Sequence, residues 1–265
     1  MQRLLSLLVY LLSGLGGLVA YGQPFILAAL QRQGAAGEAG ALSQPASMLL
    51  ALALISVSLL ALLAEGQGQA LNAKIVAALG TLVAFAAALR FLENAIPGPA
   101  GFTPIFAPII LAGYVFGPRF GLLMGSLSLL TSALVTGGVG PWLPYQIFAA
   151  GWMGLSAGLL PRGLGPRPTL ALLAAFGFMW GFLYGAILNL YFWPFLAGDP
   201  AVSWQPGEGV GAALGRYLAF YVATSAVWDL AAALGNVALV LVAGLPVVRA
   251  LSRFRDQFRF RVVAA

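Results

Sequence analysis

Cysteine and histidine are both absent from this sequence, and charge is scarce: Asp, Glu, Lys and Arg make up 8% of its 265 residues, against about 25% in an ordinary soluble domain. Without cysteine there is no disulfide and no thiolate nucleophile. Without histidine the usual zinc ligand sets and the imidazole base of a hydrolytic triad are gone as well. Lys74 is the only lysine, and the stretch Gly68-Gln69-Ala70-Leu71-Asn72-Ala73-Lys74-Ile75 lacks the second glycine and the hydroxyl of a phosphate-binding loop. If ATP drives this protein, another subunit must hydrolyse it. No acidic DDxxD-like cluster and no nucleophile elbow takes its place. The sequence therefore does not read as an enzyme, and no metal or cofactor is expected.

What is present is apolar. Hydrophobic residues make up 61% of the chain, arranged in runs of about 17–25 residues, the length that crosses a bilayer as a helix. Such runs fall at residues 4–30, 46–64, 73–92, 103–116, 120–136, 144–160, 169–193 and 213–245. They predict an all-α, polytopic membrane helix bundle of about eight transmembrane helices. The run at 103–116 is short and holds Pro104 and Pro108, so a broken or partly interfacial helix is expected there. The run at 213–245 is too long for one crossing; its first turns should stand above the membrane or form a separate short helix. Gly244-Leu245-Pro246 reads as the stop of the last helix.

Arg3 ahead of an apolar run ending in Ala20 and Gly22 resembles a secretory signal, but apolar character resumes after Gln23-Pro24, which favours a retained anchor. With the N-terminus in the cytoplasm, Arg3, Lys74, Arg119, Arg162, Arg167, Arg249, Arg253, Arg255, Arg259 and Arg261 all fall on the inside. The outer face then receives Arg32, Arg90 and Arg216 balanced by Glu38, Glu93, Asp199 and Glu208. This asymmetry predicts that both termini are cytoplasmic. The tail alternates Arg with Phe from Arg253 to Arg261; it reads as an orientation signal resting on anionic lipid, or else as a partner-binding tail.

Small residues Ala73, Ala77, Gly80, Ala84 and Ala88 recur at spacings that put them on one helical face, where another helix can approach closely. That helix belongs either to this chain or to a separate subunit. Between Gly138 and Gly158 a Gly/Pro-rich turn leads into a helix at Pro144, with Trp142 and Tyr145 placed as interfacial anchors. Gln146, a polar amide just inside the membrane, needs a partner. Arg90 lies about 24 Å above Lys74 by helical rise, and Asp229 reaches a similar height on the last helix. The two form a candidate intramembrane ion pair, structural or ligand-contacting, with Glu93 as a rival partner three residues after Arg90.

From Ala73 to about Arg261 the chain resembles the substrate-binding S component of energy-coupling factor (ECF) vitamin transporters. The resemblance rests on the alanine-spaced helix, on IILAGYVFGPRFGLLMGSLSLL (residues 109–130), and on the Gly-Pro-Trp...Gln...Gly pattern of residues 138–158. It implies a six-helix substrate-binding membrane domain at 73–248, preceded by a two-helix extension at 1–72 and followed by a basic cytoplasmic tail at 249–265. It further implies an ECF transmembrane (T) component and a pair of ATPase subunits as partners, and residence in a bacterial or archaeal cell membrane. Docking would use Ala73, Ala77, Ala84 and Ala88. An outward-facing pocket would be roofed by residues 94–103, including Asn94 and Phe102. Its walls would come from Trp142, Tyr145, Gln146, Asn189, Tyr191, Trp193, Trp228 and Asp229.

The implied substrate is a vitamin or related micronutrient, with a corrinoid such as cobalamin favoured because the Gly-Pro-Trp and Gln pattern resembles members assigned to it. Residues 1–72 depart from the six-helix pattern and would either stabilise the domain or shield the docking face. The competing function is a self-sufficient ion-coupled carrier. Such a carrier usually shows internal repeats and several intramembrane ionisable groups, whereas here only Arg90 and Asp229 are well placed.

Overall fold

In the computed structural model, which describes residues 2–32, 71–95, 102–196 and 198–257 together with residues 49, 52, 53 and 56, every regular element is a helix. The order is α1 (Gln2–Arg32), α2 (Leu71–Ala95), α3 (Phe106–Phe116), α4 (Pro118–Thr136), α5 (Leu143–Leu159), α6 (Pro166–Asn189), a 3-10 turn at Trp193–Phe195, α7 (Val210–Thr224), α8 (Ala226–Leu239), a π-helical turn at Val240–Gly244, and α9 (Leu245–Asp256). The helix expected at 46–64 lies outside the described residues apart from those four positions. Five of the described segments are long and apolar enough to cross a membrane: Leu7–Ala29, Ala73–Ala95, Pro118–Thr136, Pro166–Asn189 and Ala226–Asp256. Leu11, Leu15, Leu18 and Val242 stand exposed on the outside, as befits helices whose solvent is hydrocarbon. The chain is a multi-pass membrane helix bundle.

The short helix α3 is the centre of the bundle, not an interfacial piece. Its 11 residues reach only about 16 Å, but nearly all are buried, as expected of a helix that is apolar all round. It packs against α4, α5 and α9. Gly117 ends it at φ 107, a left-handed conformation that glycine adopts without strain. Pro118 then starts α4 where a missing N–H costs nothing.

Around α3 the helices meet through glycine. A Cβ on Gly121 would lie 2.0 Å from the carbonyl oxygen of Gly154, and one on Gly125 would lie 1.9 Å from that of Ala150. The α4 and α5 backbones therefore touch, in the manner of small-residue interfaces in lipid. The same device joins α6 to α8, where Gly181 faces the Ala233 backbone and Gly185 faces Asp229. Helix α1 rests on α5: Trp152 donates its indole N–H to Ser13 Oγ at 2.9 Å, and the Tyr21 hydroxyl donates to the Tyr145 carbonyl at 2.9 Å. It leaves Ala77, Ala84 and Ala88 of α2 exposed. Helix α1 thus braces the core, and the described residues of α1 do not cover that face.

The overlong last run divides as expected, with Ser225 breaking it between α7 and α8. Its expected stop at Gly244-Leu245-Pro246 is not where it ends. The helix passes through the π turn and continues to Asp256. The widened turn precedes Pro246, whose missing N–H would otherwise leave a gap in an α-helical ladder. The start of the basic tail is consequently held: Arg255 donates from Nη1 to the Val115 carbonyl at 2.9 Å, and Phe254 lies against Phe116.

Candidate functional site

At the end of the bundle opposite Arg162, Arg249 and Arg255, the upper parts of α2, α6 and α8 part around a cavity of 380 Å³. The α2 wall is built from a three-residue network. Arg90 pairs with Glu93 at 2.6 Å, one turn on. Thr103 donates its hydroxyl to Glu93 at 2.7 Å and accepts from Arg90 at 3.1 Å. This network ties the end of α2 to the segment entering α3, and it satisfies a charge pair that is only partly exposed.

The opposite wall comes from α6 and α8. Because Gly181 and Gly185 carry no side chain, α8 comes close enough for Asp229 to sit against Gly185. The Asp229 carboxylate accepts from the Tyr221 hydroxyl at 2.7 Å. Asn189 donates its amide to Ser225 Oγ at 2.7 Å, which fixes the kink between α7 and α8 to the top of α6. Tyr184 closes the floor with Phe106, ring centres 4.5 Å apart. A smaller recess of 140 Å³ adjoins the cavity through Arg90, Leu129 and Gln146, and adds Asn94 and Trp142 to the lining. The side-chain amide of Gln146 makes no hydrogen bond to the described residues, so it is available to whatever enters.

The structure therefore gathers seven of the anticipated residues. Arg90, Gln146, Asn189, Trp228 and Asp229 line the main cavity, and Asn94 and Trp142 line the recess with Arg90 and Gln146. Four others lie elsewhere. Tyr145 is buried, stacked on Tyr191 at 4.8 Å and edge-on to Tyr21 at 5.1 Å. Tyr191 is the other half of that stack. Trp193 is buried beside Tyr217 and donates its indole N–H to the Val202 carbonyl at 2.8 Å. Phe102 lies with its ring against Gly235 on α8. These rings hold the outer segment and the helix tops together; an aromatic ring near a membrane surface packs as readily as it binds.

The ion pair expected between Arg90 and Asp229 is replaced by two separate arrangements. Arg90 takes Glu93, which shares its helix and needs no distant approach. Asp229 takes a neutral hydroxyl. Thr103, the last residue of the expected roof, does line the cavity, whereas Tyr184, Tyr221 and Ser225 were not anticipated from the sequence. The glycine spacing Gly177-Gly181-Gly185 on α6 was the available signal, since it marks the face on which α8 lies and so points to Tyr184 and Asp229 together.

Comparison with curated proteins and with solved structures gives no match. The family described as ECF transporter, substrate-specific component, matches residues 45–244, well over half of the chain. The match begins ahead of Ala73, where the sequence resemblance starts, and ends before the basic tail. It spans the helices that enclose the cavity, and the chain belongs to the substrate-specific components of ECF transporters.

Proposed function

We propose that the 380 Å³ cavity is the substrate site of this ECF component and that its ligand is a compact micronutrient with a flat ring and a cationic or hydrogen-bond-donating nitrogen. The observation that carries this reading is the charge on the walls. Arg90 is already matched by Glu93, whereas among the described residues the Asp229 carboxylate accepts only from the Tyr221 hydroxyl, leaving it capacity to accept from a ligand. Trp228 and Tyr184 on the same lining offer aromatic faces, which attract a flat cation. Gln146 would fix orientation.

Size bears on the substrate as well. Small-molecule sites run from about 300 to 1,000 Å³, and this cavity lies at the lower end. That suits one or two rings and lends no support to the corrinoid suggested by the Gly-Pro-Trp and Gln pattern. The cavity lies at the end away from the cluster of Arg162, Arg249 and Arg255, so with basic residues inside it faces outward and both termini lie in the cytoplasm. Energy would come from the T component and ATPases that family membership implies. The exposed face of Ala73, Ala77, Ala84 and Ala88 supports docking there, because small residues allow close helix approach.

The test is calorimetric titration of the purified chain, without ATP, with thiamine, riboflavin, biotin, cobinamide and cobalamin. A compact nitrogen-bearing ligand is expected to bind, and Asp229→Asn to weaken it by about tenfold, the equivalent of about 1.4 kcal/mol. Binding of the corrinoids alone would overturn the size argument. No binding to the isolated chain, combined with uptake that follows an ion gradient after ATP depletion, would overturn the capture role in favour of an ion-coupled carrier. For docking, Ala77→Trp and Ala84→Trp are expected to abolish co-purification with the T component while ligand binding persists; normal co-purification of both variants would assign the alanine face to lipid.

A further inference from the structure

At the opposite end of the bundle a second cavity, of 230 Å³, lies between the turn joining α5 to α6, the end of α3 and the helix α9. Arg162, Arg249 and Arg255 stand on its walls with Thr169 and Ser252, and Leu164, Leu245 and Val248 supply apolar surface. Substrate capture uses none of these residues. We infer that this cavity binds a phosphate-bearing anion, held as the headgroup of an anionic phospholipid.

The charge is in excess and is held in position. Asp256 neutralises Arg255, but no described carboxylate pairs with Arg162 or Arg249. Two of the three guanidinium groups are fixed by carbonyls left over at helix ends: Arg162 donates from Nη2 to the Gly158 carbonyl at 3.0 Å, and Arg255 from Nη1 to the Val115 carbonyl at 2.9 Å. A guanidinium has five N–H donors, so Arg162 keeps donors for an incoming oxygen. Arginine suits phosphate because its planar fork matches two oxygens at once.

A lipid is preferred to a soluble phosphate because the walls continue into hydrocarbon. One turn before the cavity, Leu241 and Val242 stand exposed on the same continuous helix. A phosphate seated among the arginines would place its acyl chains along that surface. Basic pockets between transmembrane helices near the cytoplasmic face recognise anionic headgroups in just this way.

Native mass spectrometry of the full chain, released from detergent after incubation with dioleoylphosphatidylglycerol or dioleoylphosphatidylcholine, tests the assignment. Phosphatidylglycerol adducts are expected to persist where phosphatidylcholine adducts are lost. Arg162→Gln and Arg249→Gln should each lower the lipid-bound fraction ratio by about fivefold. Arg253→Gln, exposed and off the cavity, should leave it unchanged. Excess glycerol 3-phosphate should not displace the lipid. Equal retention of both lipids, an equal loss with Arg253→Gln, or no loss with Arg249→Gln would overturn the site, and displacement by glycerol 3-phosphate would assign it to a soluble phosphate. The Arg249 side chain makes no hydrogen bond to the described residues, so its variant decides the matter even if Arg162→Gln fails to fold. The readout is independent of substrate binding.

Discussion

The α4–α5 pair and the α6–α8 pair are joined by the same device, a helix with glycine facing its neighbour, yet one makes a solid core and the other a cavity. Between α4 and α5 the nearest atoms opposite Gly121, Gly125 and Gly154 are backbone: Gly121 meets the Gly154 carbonyl and Gly125 that of Ala150. Nothing there can yield. Between α6 and α8 the contact begins in the same style, with Gly181 on the Ala233 backbone, but at Gly185 the opposing atoms are the carboxylate oxygens of Asp229. A polar, movable side chain has replaced the backbone, and the helices part around it. Glycine alone does not decide whether two helices seal or open; the residue it faces does.

Three substitutions put that contrast at risk. The largest effect is expected from Gly121→Ala. Its Cβ would lie 2.0 Å from a backbone oxygen, so one helix must move, at a cost of about 3 kcal/mol, the upper part of the usual range for overpacking. A fall in folded yield and in melting temperature in detergent would register it, and an unchanged melting temperature would refute the rigid α4–α5 contact.

Gly185→Ala adds the same methyl group against the Asp229 carboxylate, also 2.0 Å away, but here a χ rotation relieves the clash. The variant should fold with a normal melting temperature and bind the cavity ligand about tenfold less tightly, or about 1.4 kcal/mol, because the carboxylate is displaced. Should it destabilise as much as Gly121→Ala, the two interfaces are equally rigid and the comparison fails.

The smallest change is expected from Tyr221→Phe, which removes one hydroxyl from Asp229. Losing such a bond costs about 1 kcal/mol, partly offset by whatever donor the ligand brings. Ligand affinity should fall by severalfold or less without loss of fold. A complete loss of binding would make Tyr221 a direct contact.

Much of the architecture was legible in the sequence because a bilayer imposes a simple rule. A helix must be long and apolar to cross, so apolar length located α1, α2, α4, α5 and α6 to within a few residues, and the overlong last run pointed to a separate short helix at its start without giving the break at Ser225. The rule failed where tertiary packing replaces lipid. The helix α3 is too short to span, which in sequence suggests a broken or partly interfacial helix, but its residues are buried among other helices. Pro246 was read as a stop, and only the π turn before it explains why the helix runs on.

At the site, scarcity of charge singled out Arg90 and Asp229, and both line the cavity. Their partners were not legible in full. Glu93 was visible as a rival because i,i+3 neighbours share a helical face, whereas Thr103 and Tyr221 approach through folds of the chain that no spacing encodes. Aromatics misled for a related reason: Tyr145, Tyr191 and Trp193 have the chemistry of a binding wall, and only the structure shows their faces already occupied by one another or by Tyr21 and Tyr217.

By itself the sequence determined that this protein lives in a membrane, where its positive charges fall along the chain, and that the stretch around its one lysine, Lys74, is not a phosphate-binding loop. Those properties follow from composition and from order along single helices, where hydrocarbon acts on each segment independently. Which charges pair, which rings are free and where the helices part were decided by the tertiary structure, since each depends on what the far side of an interface presents.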